Sequence, residues 1–221
     1  MELYLIRHGQ SANNANPSSR VGDPALTPMG ERQALCAGKA LVNKGIVKLY
    51  CSPMLRALQT AQIMSEPLGL APHVFVGLHE WYAAWEEREG VTVQLPGLTR
   101  QQMTEVCPNV VLSEEVTDEG WLLQEWESMQ AMREKAGRDA HSYLEHLAQQ
   151  HPEPREKVAA VTHGGFLSTF IGAAYGLAAD DNTDRFAHQN TAISKLRLTD
   201  GQTQLRYMNR ITHLTEDMLT W

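Results

Sequence analysis

Four short apolar runs, residues 3–6, 46–51, 72–76 and 158–162, limit the folds open to this chain more than any other feature. Each is too short for a helix and is apolar nearly throughout rather than at alternate positions. Strands buried on both faces of a sheet read this way. Helix signals stand between them. Thr27-Pro28 reads as an N-cap followed by proline at the first helical position, opening a helix over 28–43 that Gly45 stops. Ser52-Pro53 repeats the signal and opens a helix to about residue 65. Gly164-Gly165 leads into an apolar helix ending near Tyr175. Strands alternating with helices predict an α/β fold, a three-layer α/β/α arrangement around a central, mostly parallel sheet.

The rest of the chain fits around that frame. Residues 10–24 form a polar loop rich in Asn, Ser, Pro and Gly. Leu122, Trp126, Met129, Met132, Ala136, Ala140, Tyr143 and Leu147 recur at steps of three and four, the apolar stripe of a long amphipathic helix. Residues 192–198 and 204–209 flank Asp200-Gly201, a hairpin signal. Residues 80–121 read as irregular, broken by Gly90, Pro96, Gly97 and Pro108, with one short helix over 99–106. Without a repeat or linker, residues 1–221 read as one domain, with 83–121 as an insertion capping the active-site mouth.

Composition removes several function classes. Nineteen basic against 26 acidic side chains leave a net charge of −7, which disfavours a general nucleic-acid binder. The three cysteines, Cys36, Cys51 and Cys107, form no CxxC pair, so neither a disulfide framework nor a zinc site is expected. No apolar stretch approaches the ~20 residues of a membrane span, and the N-terminus lacks the pattern of a signal peptide. A cytoplasmic protein with no membrane or nucleic-acid partner is the expectation.

Four features carry chemistry, and each follows a predicted strand: Arg7-His8-Gly9, Arg56, Glu80 and His163-Gly164. Ligands of open α/β sheets bind outside the carboxyl ends of the strands, so these segments should converge. Two guanidiniums in one place suit an anion with several oxygens, and phosphate matches their forked donors. A neutral imidazole is a competent nucleophile toward phosphorus. A carboxylic acid beside the leaving oxygen can donate a proton and recover it from water. Gly9, Gly164 and Gly165 would let backbone N–H groups approach the phosphate. The set is complete for phosphoryl transfer through a phosphohistidine, with no metal and no cofactor.

Leu5-Ile-Arg-His-Gly-Gln-Ser with Asn14, Leu26-Thr-Pro-Met-Gly-Glu-Arg-Gln-Ala, Ser52-Pro-Met-Leu-Arg-Ala-Leu-Gln-Thr-Ala, Leu78-His-Glu80, Val161-Thr-His-Gly-Gly and Asn190-Thr-Ala-Ile-Ser occur in that order along the chain. Together they resemble the histidine phosphatase superfamily, the phosphoglycerate-mutase-like proteins. The resemblance implies His8 as the nucleophile that becomes phosphorylated and Glu80 as general acid and base. It implies Arg7, Arg56 and His163 as holders of the phosphoryl oxygens, with Asn14, Ser11 and the Gly164 backbone as further substrate contacts. Glu86, Glu87 and Glu89 lie close enough to Glu80 to compete for the acid's role. Trp81, Tyr82 and Trp85 either face the leaving group or anchor the cap.

One departure bears on the activity. The glycolytic mutases carry Glu-Arg-His-Tyr-Gly where this chain has Glu80-Trp81-Tyr82-Ala83-Ala84, so the basic grip on a phosphosugar acid is missing there. Leu95-Pro-Gly-Leu-Thr-Arg and Gly120-Trp121 look more like the phosphatase-type branches. A phosphomonoesterase acting on a small phosphorylated substrate is therefore expected ahead of a phosphoglycerate mutase, for which Arg88 and Arg100 would have to supply a second anion site. An inactive phosphate- or phosphoprotein-binding module is the remaining reading. It has no need of both nucleophile and acid.

Overall fold

The computed structural model describes residues 1–81, 85–89, 91–122, 129–153, 155–177, 183–199 and 202–221. A six-stranded sheet is built from β1 (Glu2–Arg7), β2 (Lys48–Cys51), β3 (Pro72–Val74), β6 (Lys157–Thr162), β7 (Ile193–Thr199) and β8 (Gln202–Arg210), in the order β3-β2-β6-β1-β7-β8. The first four strands in that order are mutually parallel, and β7 and β8 add antiparallel at one edge. This is the expected α/β architecture with a mostly parallel sheet.

Side-chain alternation along the strands explains the layering. On β1, Tyr4 and Ile6 point into one core and Leu3 and Leu5 into the other. The first core is closed by α2 (Pro28–Leu41), α3 (Leu55–Leu68) and α4 (Arg100–Val106), which contribute Leu41, Leu58, Met64 and Met103. The second is closed by α5 (Met129–Gln150) and α6 (Gly164–Ala174), which contribute Tyr143, Leu147, Phe166 and Phe170. Among the described residues, no helix is long and apolar enough to cross a membrane.

Local signals mostly hold. Thr27 caps α2 by accepting from Gly30 N–H, Pro28 occupies its first turn, and Gly45 sits beyond the following 3-10 turn at φ 72°, where a left-handed conformation suits glycine. Thr99 caps α4 in a reciprocal box with Gln102. Two expectations need correction. Ser52 does not cap α3: that helix starts at Leu55, and its N-cap residue is Met54, whose own side chain makes no capping hydrogen bond. The stretch read as irregular contains a two-stranded antiparallel hairpin, β4 (Trp85–Arg88) and β5 (Val91–Gln94). The predicted turn Asp200-Gly201 and the predicted helix residue Trp126 lie outside the described residues.

Candidate active site

The parallel strands end on one side of the sheet, and each hands over a polar residue. β1 ends at Arg7 with His8 next, β2 is followed by Ser52 and the first turn of α3 carrying Arg56, and β6 is followed by His163. After β3 a 3-10 turn, Val76–Leu78, leads to Glu80, and Thr162 Oγ1 donates to Leu78 O at 2.7 Å to pin that turn against β6. His8, Arg56, Glu80 and His163 are all buried. The rings of His8 and His163 are 5.1 Å apart.

His8 is held through both ring nitrogens. Nδ1 lies 2.7 Å from Gly9 O, and Arg56 Nε donates to Nε2 at 3.1 Å. A carbonyl can only accept and a guanidinium can only donate, so the network assigns the proton to Nδ1 and the lone pair to Nε2. Burial holds the His8 pKa well below that of an ordinary histidine, and the charges of Arg56 and Arg7 push the same way, against the Gly9 carbonyl. The ring is therefore neutral at pH 7.

Arg56 also reaches Asp23, with Nη1 3.3 Å from Oδ1, while Asp23 Oδ2 accepts from Leu55 N–H at 3.0 Å. One carboxylate thus holds the guanidinium and satisfies a first-turn N–H of α3. Burial raises the Asp23 pKa despite Arg56 and the Leu55 N–H. Arg7 Nη1 donates to His188 O at 2.5 Å, and a Cβ on Gly164 would lie 3.4 Å from Arg7 Nε, so the guanidinium packs against the start of α6.

Glu80 sits at that same helix start. Oε2 accepts from Gly165 N–H at 3.0 Å, and Oε1 is buried with no hydrogen-bond partner among the described residues. Burial raises the Glu80 pKa and outweighs Arg56, the Gly165 and Phe166 N–H groups and Arg7, which all favour the charged form. A protonated carboxyl with one free oxygen can donate. Trp81 is buried in a small cluster with Met132 and Ala136, which fits an anchor to α5. Tyr82 and the side chains of Trp85, Glu86, Glu87 and Arg88 lie outside the described residues.

The glycines were expected to open backbone N–H groups to phosphate, and two of them do something else. Gly9 N–H donates to Thr60 Oγ1 at 3.1 Å, and Gly165 N–H is used by Glu80. A Cβ on Gly9 would lie 2.4 Å from Gly30 O, and one on Gly165 would lie 2.7 Å from Glu80 Oε1. Close packing demands these glycines. Ser11 and Asn14 form a reciprocal cap on α1 (Ala12–Ala15), with Ser11 Oγ donating to Asn14 Oδ1 at 2.9 Å. Arg100 Nη1 is tied to the backbone, donating to Val116 O at 2.6 Å and Ser113 O at 3.2 Å.

Asp23, Ser52 and the Asn190 side chain carry roles that sequence reasoning did not assign. Asn190 Nδ2 donates to His8 O at 3.1 Å and to Asn14 Oδ1 at 3.3 Å, and its Oδ1 accepts from Thr220 Oγ1 at 2.9 Å. Asp23 is one acid in a polar loop, and no local pattern marks it.

Comparison with known proteins follows the same lines. A model of the histidine phosphatase superfamily (branch 1) matches residues 3–211. The chain is 27% identical over 220 residues to a Hydrogenobacter thermophilus protein named "Putative phosphoserine phosphatase 2", covering 96% of each. It is 26% identical over 197 residues to a Yersinia pestis protein named "Probable phosphoglycerate mutase GpmB", covering 89% of this chain and 84% of that one. Among solved structures, Bacillus stearothermophilus YhfR superposes with a TM-score of 0.66 at 19% identity, covering 96% and 98% of the two chains. A variant of Entamoeba histolytica phosphoserine phosphatase in complex with phosphoserine gives 0.64 at 22% identity, covering 97% and 99%. At these identities the structural likeness is one of fold.

Proposed function

The chain belongs to the histidine phosphatase superfamily, branch 1, and from that membership and the site we propose that it is a phosphomonoester hydrolase working through a phosphohistidine on His8. The observation that carries the reading is the pair of ties on the His8 ring. With Nδ1–H on Gly9 O, the Nε2 lone pair faces a guanidinium at 3.1 Å, where an entering phosphoryl group would be both attacked and charge-stabilised.

The chemistry follows from the residues. A phosphomonoester places its oxygens on Arg7, Arg56 and His163, with Asn14 as a further donor. The His8 Nε2 lone pair forms the N–P bond as the ester P–O bond breaks, and Glu80 gives its proton to the leaving oxygen. Water then attacks phosphorus, Glu80 takes a proton from it, the N–P electron pair returns to Nε2 and phosphate departs. The arginines supply the positive charge, so the reaction is read as metal-independent.

Relatives named for a phosphoserine phosphatase and a phosphoglycerate mutase point to small phosphorylated acids as the first substrates to screen. The mutase-named relative also keeps phosphotransfer as the second reading. Against it, Arg100 is committed to backbone carbonyls, and residues 80–84 bring no basic pair.

The test is hydrolysis of p-nitrophenyl phosphate in EDTA, with rapid-quench labelling from a radioactive phosphomonoester. An acid-labile, alkali-stable phosphoprotein is expected in the wild type and absent in His8→Ala. A His8→Ala variant that keeps most of the activity overturns the reading.

A further inference from the structure

Ser52 is fully buried at the end of β2, where a cap for α3 was expected, yet its hydroxyl turns toward His163. Oγ lies 2.7 Å from His163 Nε2 and accepts the Met54 N–H at 3.3 Å. The hydroxyl proton still needs an acceptor, because a buried donor left unpaired costs ~1–3 kcal/mol. Among the described residues, the acceptor in reach is His163 Nε2. That nitrogen then holds a lone pair, and the ring proton must sit on Nδ1. Nδ1 is buried and has no hydrogen-bond partner among the described residues.

We infer that Ser52 is a positioning residue: it fixes His163 as the Nδ1–H tautomer and so presents an unused N–H donor to the phosphoryl group. This rests on the hydrolase reading above for its use, but not for its geometry. The two histidines then share one tautomer and expose opposite ends of it. His8 spends its N–H on Gly9 O and offers a lone pair. His163 spends its lone pair on Ser52 and offers an N–H. A nucleophile and an oxyanion donor are thereby made from the same neutral ring. With the other tautomer, His163 would aim a lone pair at phosphoryl oxygens and repel them.

The wild-type enzyme decides first. Long-range ¹⁵N–¹H correlation on histidine-labelled protein, assigned with a His163→Gln variant, should find the His163 proton on Nδ1. A proton on Nε2 overturns the inference whatever the activity. In Ser52→Ala the signature should shift toward a mixture or toward Nε2–H, and kcat should fall ~10-fold or more with KM within threefold. Removal of a whole oxyanion donor typically costs ~10²–10³. Ser52→Thr keeps the hydroxyl and should restore the Nδ1–H signature. If Ser52 only supported the helix entry, Ser52→Ala would lower the melting temperature and leave the His163 signature unmoved, which also overturns the inference. A wild type that shows Nδ1–H but hydrolyses no phosphomonoester refutes the hydrolase reading while leaving the role of Ser52 in fixing the ring.

Discussion

Replacing Gly9 by alanine should cost this protein far more activity than its one added methyl suggests. The new Cβ would lie 2.4 Å from Gly30 O on α2, about 1 Å short of ordinary van der Waals contact, and the obstacle is backbone rather than a side chain that can swing away. Either α2 or the loop after β1 must move. The loop is tied at both ends of the same residue: Gly9 N–H to Thr60 Oγ1 at 3.1 Å and Gly9 O to His8 Nδ1 at 2.7 Å. A shift of about 1 Å therefore re-aims the His8 ring. Misplacement on that scale costs ~10²-fold in rate, and overpacking costs ~1–3 kcal/mol of stability. Rapid-quench phosphoenzyme formation and thermal unfolding measure the two losses separately. Gly137→Ala is the control, because it lies within α5 with nothing in contact range of its added Cβ, and it should stabilise by roughly 0.5–1 kcal/mol. A folded Gly9→Ala enzyme with turnover within threefold of wild type would refute the claim that this contact aims His8.

Three further outcomes are expected. Glu80→Gln should lose ~10²–10⁴-fold on alkyl phosphates and much less on p-nitrophenyl phosphate, whose leaving group needs little protonation; silence on an alkyl phosphate removes Glu80 as the acid. Because burial raises the Glu80 pKa, its stabilising neutral form is fully present below the ordinary value and lost as pH rises through the folded one, so Glu80→Gln should melt higher than wild type at pH 8 and not at pH 4. His188 is held neutral by burial with its pKa down to about 4, so the unfolded chain binds its proton first and stability falls between pH 6.5 and 4, by roughly 3 kcal/mol from this group; His188→Gln should flatten that acid limb, and an unchanged limb counts against it. Incubation with 3-phosphoglycerate and 2,3-bisphosphoglycerate should release phosphate slowly or not at all, and isomer exchange outpacing phosphate release would promote the mutase reading.

What could be read in the sequence followed from how local each signal was. Strands β1, β2 and β6 announced themselves because both of their faces are buried, and Thr27, Pro28 and Gly45 bracket α2 and its 3-10 turn through contacts within a few residues. Arg7, His8, Arg56, Glu80 and His163 were legible because parallel strands end together. Ser52 misled, since a serine before proline looks the same whether it caps a helix or serves a histidine 111 residues away. Asp23 and Asn190 likewise act across long separations that no local pattern encodes. The β4–β5 hairpin escaped because Glu86, Glu87 and Arg88 are consecutive charges, which give no period-two alternation.

The order in which the chain is made adds a consequence of the β1–β6 pairing. β1, which leads into His8, is synthesised well before either neighbour: its parallel partner begins with Lys157 opposite Glu2, and its antiparallel one pairs Arg197 with the same residue. At ~5–20 residues per second, roughly 8–30 s of translation separate β1 from the strand it needs. Through that interval an apolar strand with both edges open waits on the ribosome, and no partial chain holds His8 and His163 together. Nascent chains stalled before β6 should therefore be aggregation-prone and inert. A circular permutant opened just before α2, in which β1 follows β8, would shorten that delay.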